Sequence, residues 1–228
     1  MEKLVLRGHG LDEYRDMFCL SAADLAGNLL EYGCGATAVN QEQHAKGCSM
    51  VSCDSLFALD AQALTKQVTV DFDAAVARLS KSKALYDFSA CGGMDAVVSR
   101  RRGEIKKFLD DYALGRREGR YLAITDEALP FDDFSFDLVL SARFLFSEVA
   151  NSSVDFHVQT IKELARVGKE VRIFPLIADD GEPSPVLGPV LLALQQENYG
   201  TEVKDVRYAL QPKGNAMLRV WAQQCVVE

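Results

Sequence analysis

The segment 29–35, which reads Leu-Leu-Glu-Tyr-Gly-Cys-Gly, constrains the fold of this chain more than any other. Its apolar start predicts a buried strand, and its Gly-x-Gly end predicts a turn where the backbone can pass close to a ligand. Nineteen residues after Gly35, a second strand-like run, 49–53, leads into Asp54. That spacing suits a carboxylate that accepts hydrogen bonds from ribose hydroxyl groups. The two segments together predict a nucleotide-binding α/β unit.

The rest of the chain alternates strand-like and helix-like patterns. Strands are predicted at 28–32, 49–53, 120–124, 136–141, 170–176, 203–210 and 216–222. Helices are predicted at 11–20, 37–46, 60–82, 95–114, 154–167 and 190–196. This alternation predicts an α/β fold with a mostly parallel, seven-stranded sheet and helices on both faces. The turn-rich stretch 211–215 predicts that the last two strands form an antiparallel hairpin.

The chain is long enough to form one domain over residues 1–228, because 48% of its 228 residues are hydrophobic. Within that domain we expect an N-terminal helical lid over 1–26. The interval between the second and third strands is long for a single crossover, so we also expect a helical insertion over 60–118.

Composition excludes several function classes. The net charge of -8 argues against general affinity for nucleic acids or anionic membranes. No run of about eighteen apolar residues is present to span a membrane, and the N-terminal residues lack the apolar core of a signal peptide. The six cysteines contain no Cys-x-x-Cys pair, and the three histidines are far apart. We therefore expect a cytoplasmic protein with reduced thiols and no bound metal.

In order and spacing, these motifs resemble those of the class I (Rossmann-like) S-adenosylmethionine-dependent methyltransferases. The segment 29–35 matches the first motif of that family, and Asp54 matches the acid after its second strand. The stretch 128–139 resembles the passage from the adenine-contacting loop into the fourth strand, and 163–167 resembles the segment before the fifth. The resemblance covers nearly the whole chain and is greatest to small bacterial methyltransferases of unassigned substrate.

This resemblance implies that the chain binds S-adenosyl-L-methionine. It implies that Glu31 reaches the methionine amino end, directly or through water, and that Asp54 takes the ribose hydroxyls. The cofactor-binding residues implied by the family are Glu31, Gly33, Cys34, Gly35, Asp54, Ser55, Leu56, Asp126, Glu127 and Ser141. Cys34 is interpreted as a small side chain tolerated beside the ligand rather than as a nucleophile.

The sequence departs from the family pattern at two positions. Thr37 stands where the first motif often has a third glycine. Thr125 stands where the adenine loop often has an acid, and the acids Asp126 and Glu127 follow it. Either acid is a substitute for the usual one, unless adenine is held by backbone and apolar contacts alone.

On the acceptor side, Ser141 and Arg143 follow the fourth strand, so they are expected near the transferable methyl group. Arg143 is interpreted as a ligand for an anionic substrate group or as a surface ion pair. Tyr14 belongs either to a lid that contacts the substrate or to the core. The basic run 100–120 is interpreted as a solvated helix face, with docking of an anionic substrate or RNA as the alternative.

The favoured hypothesis is therefore methyl transfer from S-adenosylmethionine to an unidentified small-molecule or protein acceptor. No catalytic triad, carboxylate pair or metal set is recognisable. A second hypothesis is an NAD(P)-dependent oxidoreductase, because 33–38 also fits Gly-x-Gly-x-x-Ala. A third is a non-catalytic binding module with a methyltransferase fold. The sequence determines neither the acceptor nor the oligomeric state.

Overall fold

The computed structural model describes residues 7–124, 128–147, 153–178 and 180–222. Its centre is a seven-stranded sheet. The strands are β1 (Leu29–Tyr32), β2 (Met50–Asp54), β3 (Tyr121–Ala123), β4 (Leu138–Ala142), β5 (Val171–Phe174), β6 (Tyr199–Asp205) and β7 (Ala216–Ala222). Their order across the sheet is β3-β2-β1-β4-β5-β7-β6. The first five are parallel, and β7 runs antiparallel to both β5 and β6. The predicted Rossmann-like architecture with an antiparallel C-terminal strand is confirmed.

Seven α-helices surround this sheet in the described part of the chain. They are α1 (Leu11–Phe18), α2 (Ala22–Ala26), α3 (Val39–His44), α4 (Ala61–Lys81), α5 (Met94–Arg117), α6 (Val154–Val167) and α7 (Leu187–Gln196). The two longest, α4 and α5, lie in the interval between β2 and β3. None of the described helices is long and apolar enough to cross a membrane.

Polar side chains define where several helices begin. Ser21, Asp60 and Ser153 each accept a hydrogen bond from a backbone N–H in the first turn of α2, α4 and α6. These bonds satisfy donors that have no partner inside the helix. Gly47 was predicted to stop the helix after the glycine turn. It follows α3 with a φ of 74°, which favours glycine.

Side chains of alternate residues in the parallel strands pack into two apolar layers, one on each face of the sheet. Leu30, Val139 and Ile173 face the layer that contains α6 and α7. Their neighbours Leu29 and Leu140 face the opposite layer, which contains α1. The strands are therefore buried on both faces, which explains their continuous apolar sequences. A third cluster packs α4 and α5 against the edge strand β3.

The predicted strand 203–210 is wrong in position, because β6 spans Tyr199–Asp205. Its register is set by β7, where Asp205 pairs with Ala216 at one end and Tyr199 with Ala222 at the other. Beyond Asp205 the chain leaves the sheet, and Tyr208 turns into the α1 layer. The apolar residues after 205 have the pattern of a strand, but they belong to a buried connection.

Candidate active site

A left-handed glycine turn follows β1. Gly33 and Gly35 have φ values of 65° and 63°, which side-chain-bearing residues rarely adopt. The Gly33 N–H donates to Cys53 O at 2.8 Å, and the Gly35 N–H donates to Asp54 Oδ2 at 2.6 Å. A Cβ atom at Gly33 would collide with the Phe144 side chain. The structure thus brings the predicted turn and the predicted acid together at the carboxyl ends of β1 and β2.

Asp54 is held rigidly at this edge. Its Oδ1 accepts from the Leu56 N–H at 2.9 Å, while its Oδ2 accepts from Gly35. The residue is 8% exposed. Ser55 and Leu56 begin the short 3-10 helix Ser55–Ala58, in which Ser55 is exposed and Leu56 packs against the third apolar cluster. Each carboxylate oxygen has a further lone pair, so Asp54 retains capacity to accept from a ligand.

Glu31 lies fully buried beneath the turn. Its carboxylate accepts hydrogen bonds from the hydroxyl groups of Tyr14 at 2.5 Å, Thr37 at 2.9 Å and Ser52 at 2.8 Å. Burial raises the pKa of Glu31, and these hydrogen bonds oppose the rise. The three donors come from α1, the glycine turn and β2, so this carboxylate joins three elements. In the structure its oxygens face hydroxyl groups of the chain itself.

The contact with Glu31 gives physical reasons for two sequence features. Thr37, which replaces the third glycine of the motif, supplies one of the hydroxyl donors. Tyr14 is fully buried, and the centroid of its ring lies 5.2 Å from that of the Phe18 ring in an edge-on arrangement. Tyr14 therefore lies in the core with its polar tip on Glu31, rather than on an exposed lid surface.

Arg7 lies across the glycine turn. Its Nη1 donates to Gly33 O at 2.8 Å and lies 3.9 Å from Asp54 Oδ2. A Cβ atom at Gly35 would collide with the Arg7 side chain. The guanidinium thus rests where a nucleotide would approach the turn. The turn and the Asp54 carboxylate present the groups that a ribose-bearing ligand needs, and the Arg7 side chain covers them. No motif marked Arg7, so the sequence analysis missed it.

Cys34 is enclosed in the turn. Burial, followed by the nearby carboxylates of Glu31 and Asp54, raises the pKa of its thiol well above the usual range. The sulfur therefore stays protonated at neutral pH and is a poor nucleophile. This agrees with the interpretation that Cys34 is not a nucleophile.

Ser141 and Arg143 lie at the end of β4, as predicted. Ser141 is fully buried, and its Oγ has no hydrogen-bond partner among the described residues. Arg143 is anchored by its N–H, which donates to Phe174 O at 2.6 Å, and its Nη1 donates to Gln211 Oε1 at 3.4 Å. No carboxylate in the described parts of the chain forms a salt bridge with Arg143.

The remaining sequence predictions concern Asp126, Glu127 and the basic run 100–120. Asp126 and Glu127 lie outside the described residues. The basic run 100–120 is mostly an exposed face with ion pairs, such as Lys106 with Asp110 at 2.5 Å. Arg101 and Arg120 are the exceptions, because they are only 1% and 9% exposed.

Arg101 is the centre of a buried polar cluster that the sequence analysis missed. Its Nη2 donates to Tyr208 Oη at 2.7 Å and lies 3.1 Å from Glu13 Oε1. Its Nη1 contacts His9 Nδ1. Burial, followed by the charge of Arg101, lowers the pKa of His9 to about 3. The ring of His9 is therefore neutral at physiological pH. We call His9, Glu13, Arg101 and Tyr208 the Arg101 cluster.

The described residues include no group of three or more His, Cys, Asp or Glu side chains that could hold a metal ion.

Comparisons with known proteins complete the description. No family model matches the chain. An uncharacterised protein of Methanocaldococcus jannaschii is 26% identical over 219 residues, which cover 96% of each chain.

Similar solved structures include methyltransferases. One is an S-adenosylmethionine-dependent methyltransferase from Aquifex aeolicus, with a TM-score of 0.42 and 14% identity over 91% of this chain and 90% of that one. Another, from Methanosarcina mazei, has a TM-score of 0.44 and 14% identity over 87% and 93%. Magnesium protoporphyrin IX methyltransferase from Synechocystis, solved with bound S-adenosylmethionine, has a TM-score of 0.46 and 10% identity over 88% and 73%. At TM-scores this low, the geometry of the site, rather than these matches, is the basis for inferring a function.

Proposed function

We propose that this protein transfers a methyl group from S-adenosylmethionine to an acceptor. The observation that carries the proposal is the pairing of the left-handed turn at Gly33 and Gly35 with the carboxylate of Asp54. The turn allows a ligand to approach the backbone, and the acid suits ribose hydroxyls at the same edge of the sheet. Glu31 adds a negative charge beneath the turn, on the side where a cationic methionine amino group would lie.

Each residue has a limited task in this reaction. Asp54 accepts hydrogen bonds from the ribose, and the glycine turn gives the ligand close access to the backbone. The cofactor, when bound, supplies a methyl group on a positively charged sulfur, which is already an activated leaving group. The protein mainly has to align donor and acceptor, and alignment alone can lower a barrier by roughly 7–11 kcal/mol.

Isothermal titration calorimetry tests this proposal. We expect S-adenosylmethionine and S-adenosylhomocysteine to bind with micromolar affinity, and NAD not to bind. Asp54→Asn should weaken both interactions about tenfold, because it replaces a charged hydrogen-bond acceptor with a neutral one. Asp73→Asn, an exposed position on α4, is the matched control.

Two results would count against the proposal. Binding of NAD alone would favour the oxidoreductase hypothesis, for which the segment 33–38 is also suited. Binding of none of the three ligands would favour a methyltransferase fold that serves as a binding module.

A further inference from the structure

The Arg101 cluster is assembled from distant parts of the chain. His9 precedes α1, Arg101 lies in α5, and Tyr208 lies in the connection between β6 and β7. All three are more than nine-tenths buried. Removing a guanidinium from water is costly unless it is fully paired. Burial of this cluster therefore costs free energy, and the packing of apolar side chains does not explain why it is there.

Three nitrogen atoms in and beside the cluster are buried without a partner among the described residues. They are His9 Nε2, Arg101 Nε and Arg143 Nε. His9 Nδ1 lies between two groups, Arg101 Nη1, which can only donate, and Glu13 Oε2, which can only accept and is 3.3 Å away. The contact with Arg101 is the shorter of the two, so we assign Nδ1 as the acceptor in that contact. The neutral imidazole consequently carries its hydrogen on Nε2. All three unpaired nitrogen atoms are then N–H donors that lack an acceptor, and they outnumber the one unpaired acceptor of the cluster, Glu13 Oε2.

The charges of this region are unequal as well. Arg101 and Arg143 contribute two positive charges, and Glu13 is the carboxylate that pairs with Arg101. Among the described side chains, the guanidinium of Arg143 hydrogen-bonds only to the neutral amide of Gln211. Arg143 adjoins the cluster, because its backbone N–H donates to Phe174 O at 2.6 Å and the Phe174 ring packs against that of Tyr208. Spare donors with excess positive charge match the chemistry of an oxyanion.

The position of the cluster suits a methyl acceptor. Arg143 directly follows β4, and the ring of Tyr208 lies 5.7 Å from that of Phe174 at the end of β5. The ring of His9 lies 6.0 Å from that of Tyr14, whose hydroxyl donates to Glu31. The cluster thus borders the glycine-turn site at the carboxyl ends of the strands, where open α/β sheets bind ligands.

We propose that the Arg101 cluster and Arg143 form the acceptor site, and that the acceptor is a small molecule bearing a carboxylate or phosphate group. Its oxygens accept hydrogen bonds from His9 Nε2 and from the Arg143 side chain. Arg101 acts as a positioning residue that keeps the hydrogen of His9 on Nε2. This inference rests on the proposed methyltransferase function.

The test follows the three histidines by nuclear magnetic resonance in protein whose histidine carries the heavy nitrogen isotope. The protein is first saturated with S-adenosylhomocysteine, and its affinity is measured by calorimetry. Malonate and inorganic phosphate are then titrated at constant ionic strength, with malonamide as the uncharged analogue. We expect at least one anion to shift the His9 signal in a saturable way. The signals of His44 and His157 should stay in place, and malonamide should have no effect.

Variants assign this response to the proposed site. Arg143→Gln should weaken anion binding about tenfold or more and leave the affinity for S-adenosylhomocysteine unchanged, since one charged donor is lost. Arg102→Gln is the matched control, because Arg102 adjoins Arg101 in α5 but its side chain is 61% exposed. If Arg143→Gln does not fold, Arg143→Lys retains the charge and removes Nε, and should weaken anion binding to a smaller extent.

The outcomes separate the two proposals. Binding of S-adenosylhomocysteine without a His9 response to either anion overturns the acceptor site and leaves the methyltransferase function standing. An equal response to malonamide, or an unchanged response in Arg143→Gln, also overturns it. Failure of S-adenosylhomocysteine to bind overturns both proposals. A response to malonate alone identifies a carboxylate acceptor, and a response to phosphate alone identifies a phosphorylated one.

Discussion

Three hydroxyl groups allow Glu31 to lie inside the protein. Without them, a fully buried carboxylate would cost several kcal/mol. Tyr14, Thr37 and Ser52 supply these donors from three different elements. The arrangement places an acid beneath the glycine turn and also fixes α1 against β1. At this position, site geometry and folding stability depend on the same side chains.

Arg7 gives the first prediction. Its side chain lies over Gly35 and hydrogen-bonds to Gly33 O, so a ligand in the turn has to displace it. Arg7→Ala should therefore tighten the binding of S-adenosylhomocysteine about tenfold, which corresponds to one hydrogen bond that no longer has to be broken. Calorimetry measures the effect, and Arg15→Ala, on the exposed side of α1, is the control. Weaker binding in Arg7→Ala would mean that Arg7 contacts the bound ligand instead of competing with it.

At the residue scale, the sequence predicts what local motifs encode. Gly33, Gly35 and Asp54 were recognisable because their spacing reflects one strand–turn–helix unit and the next strand. Arg7 and Arg101 were not, since their roles depend on contacts with residues far away in the chain. Arg101 also lies inside a charged run, where the local pattern predicts exposure.

At the element scale, α4 and α5 have a structural task in the proposed acceptor site. They cover the β3 edge of the sheet, and α5 carries Arg101 to His9 and Tyr208. A side-chain cap defines the start of α4. Asp60 accepts a hydrogen bond from the Ala63 N–H at 2.8 Å at the start of α4.

Loss of this cap has a measurable cost. Asp60→Ala should lower the free energy of unfolding by about 1 kcal/mol, because it leaves a donor of the first turn without its partner. Urea denaturation measures the difference. Asp73→Ala, in the middle of α4, removes only an exposed ion pair with Arg102 and should change stability much less. Equal losses in both variants would show that the cap contributes nothing specific.

Most elements were predictable because apolar periodicity and turn residues coincide. The helix predicted over 154–167 matches α6, Val154–Val167, and the strand predicted over 216–222 matches β7. The strand predicted over 203–210 was misplaced because the apolar residues after Asp205 are buried against α1 rather than paired in the sheet. Periodicity reports burial, and it cannot distinguish a strand from a buried connection.

At the scale of the whole molecule, the Arg101 cluster couples stability to pH. The pKa of His9 is lowered to about 3 in the folded protein by burial and by Arg101, against 6.5 for an ordinary histidine. The unfolded chain therefore takes up a proton as the pH falls through 6.5, while the folded protein does not. The contribution of His9 to stability is present above that pH and is lost as the pH falls toward 3.

Comparison with His9→Asn isolates this effect. Between pH 7 and pH 5, the free energy of unfolding of the wild type should fall relative to that of His9→Asn by about 2 kcal/mol. His157, whose pKa is also lowered by burial, is present in both proteins, so its contribution cancels. At the lower limit of pH 5, Glu13 is still mostly ionised in the unfolded chain. Identical pH dependence in the two proteins would show that His9 is not held neutral.

The general architecture could be predicted from the sequence, whereas the assembly of the site could be predicted only in part. Strand alternation predicts the parallel sheet, and a parallel sheet places the ends of β1, β2 and β4 at one edge. The meeting of His9, Arg101 and Tyr208 requires the actual packing of α5 and of the β6–β7 connection across that edge.

The crystal structure of the protein with bound S-adenosylhomocysteine tests the central claim most directly. We predict that the ribose hydroxyls lie about 3 Å from the Asp54 carboxylate, and that the Arg7 side chain has left Gly35. A ligand bound elsewhere, or a ribose distant from Asp54 with Arg7 still donating to Gly33 O, would contradict the account.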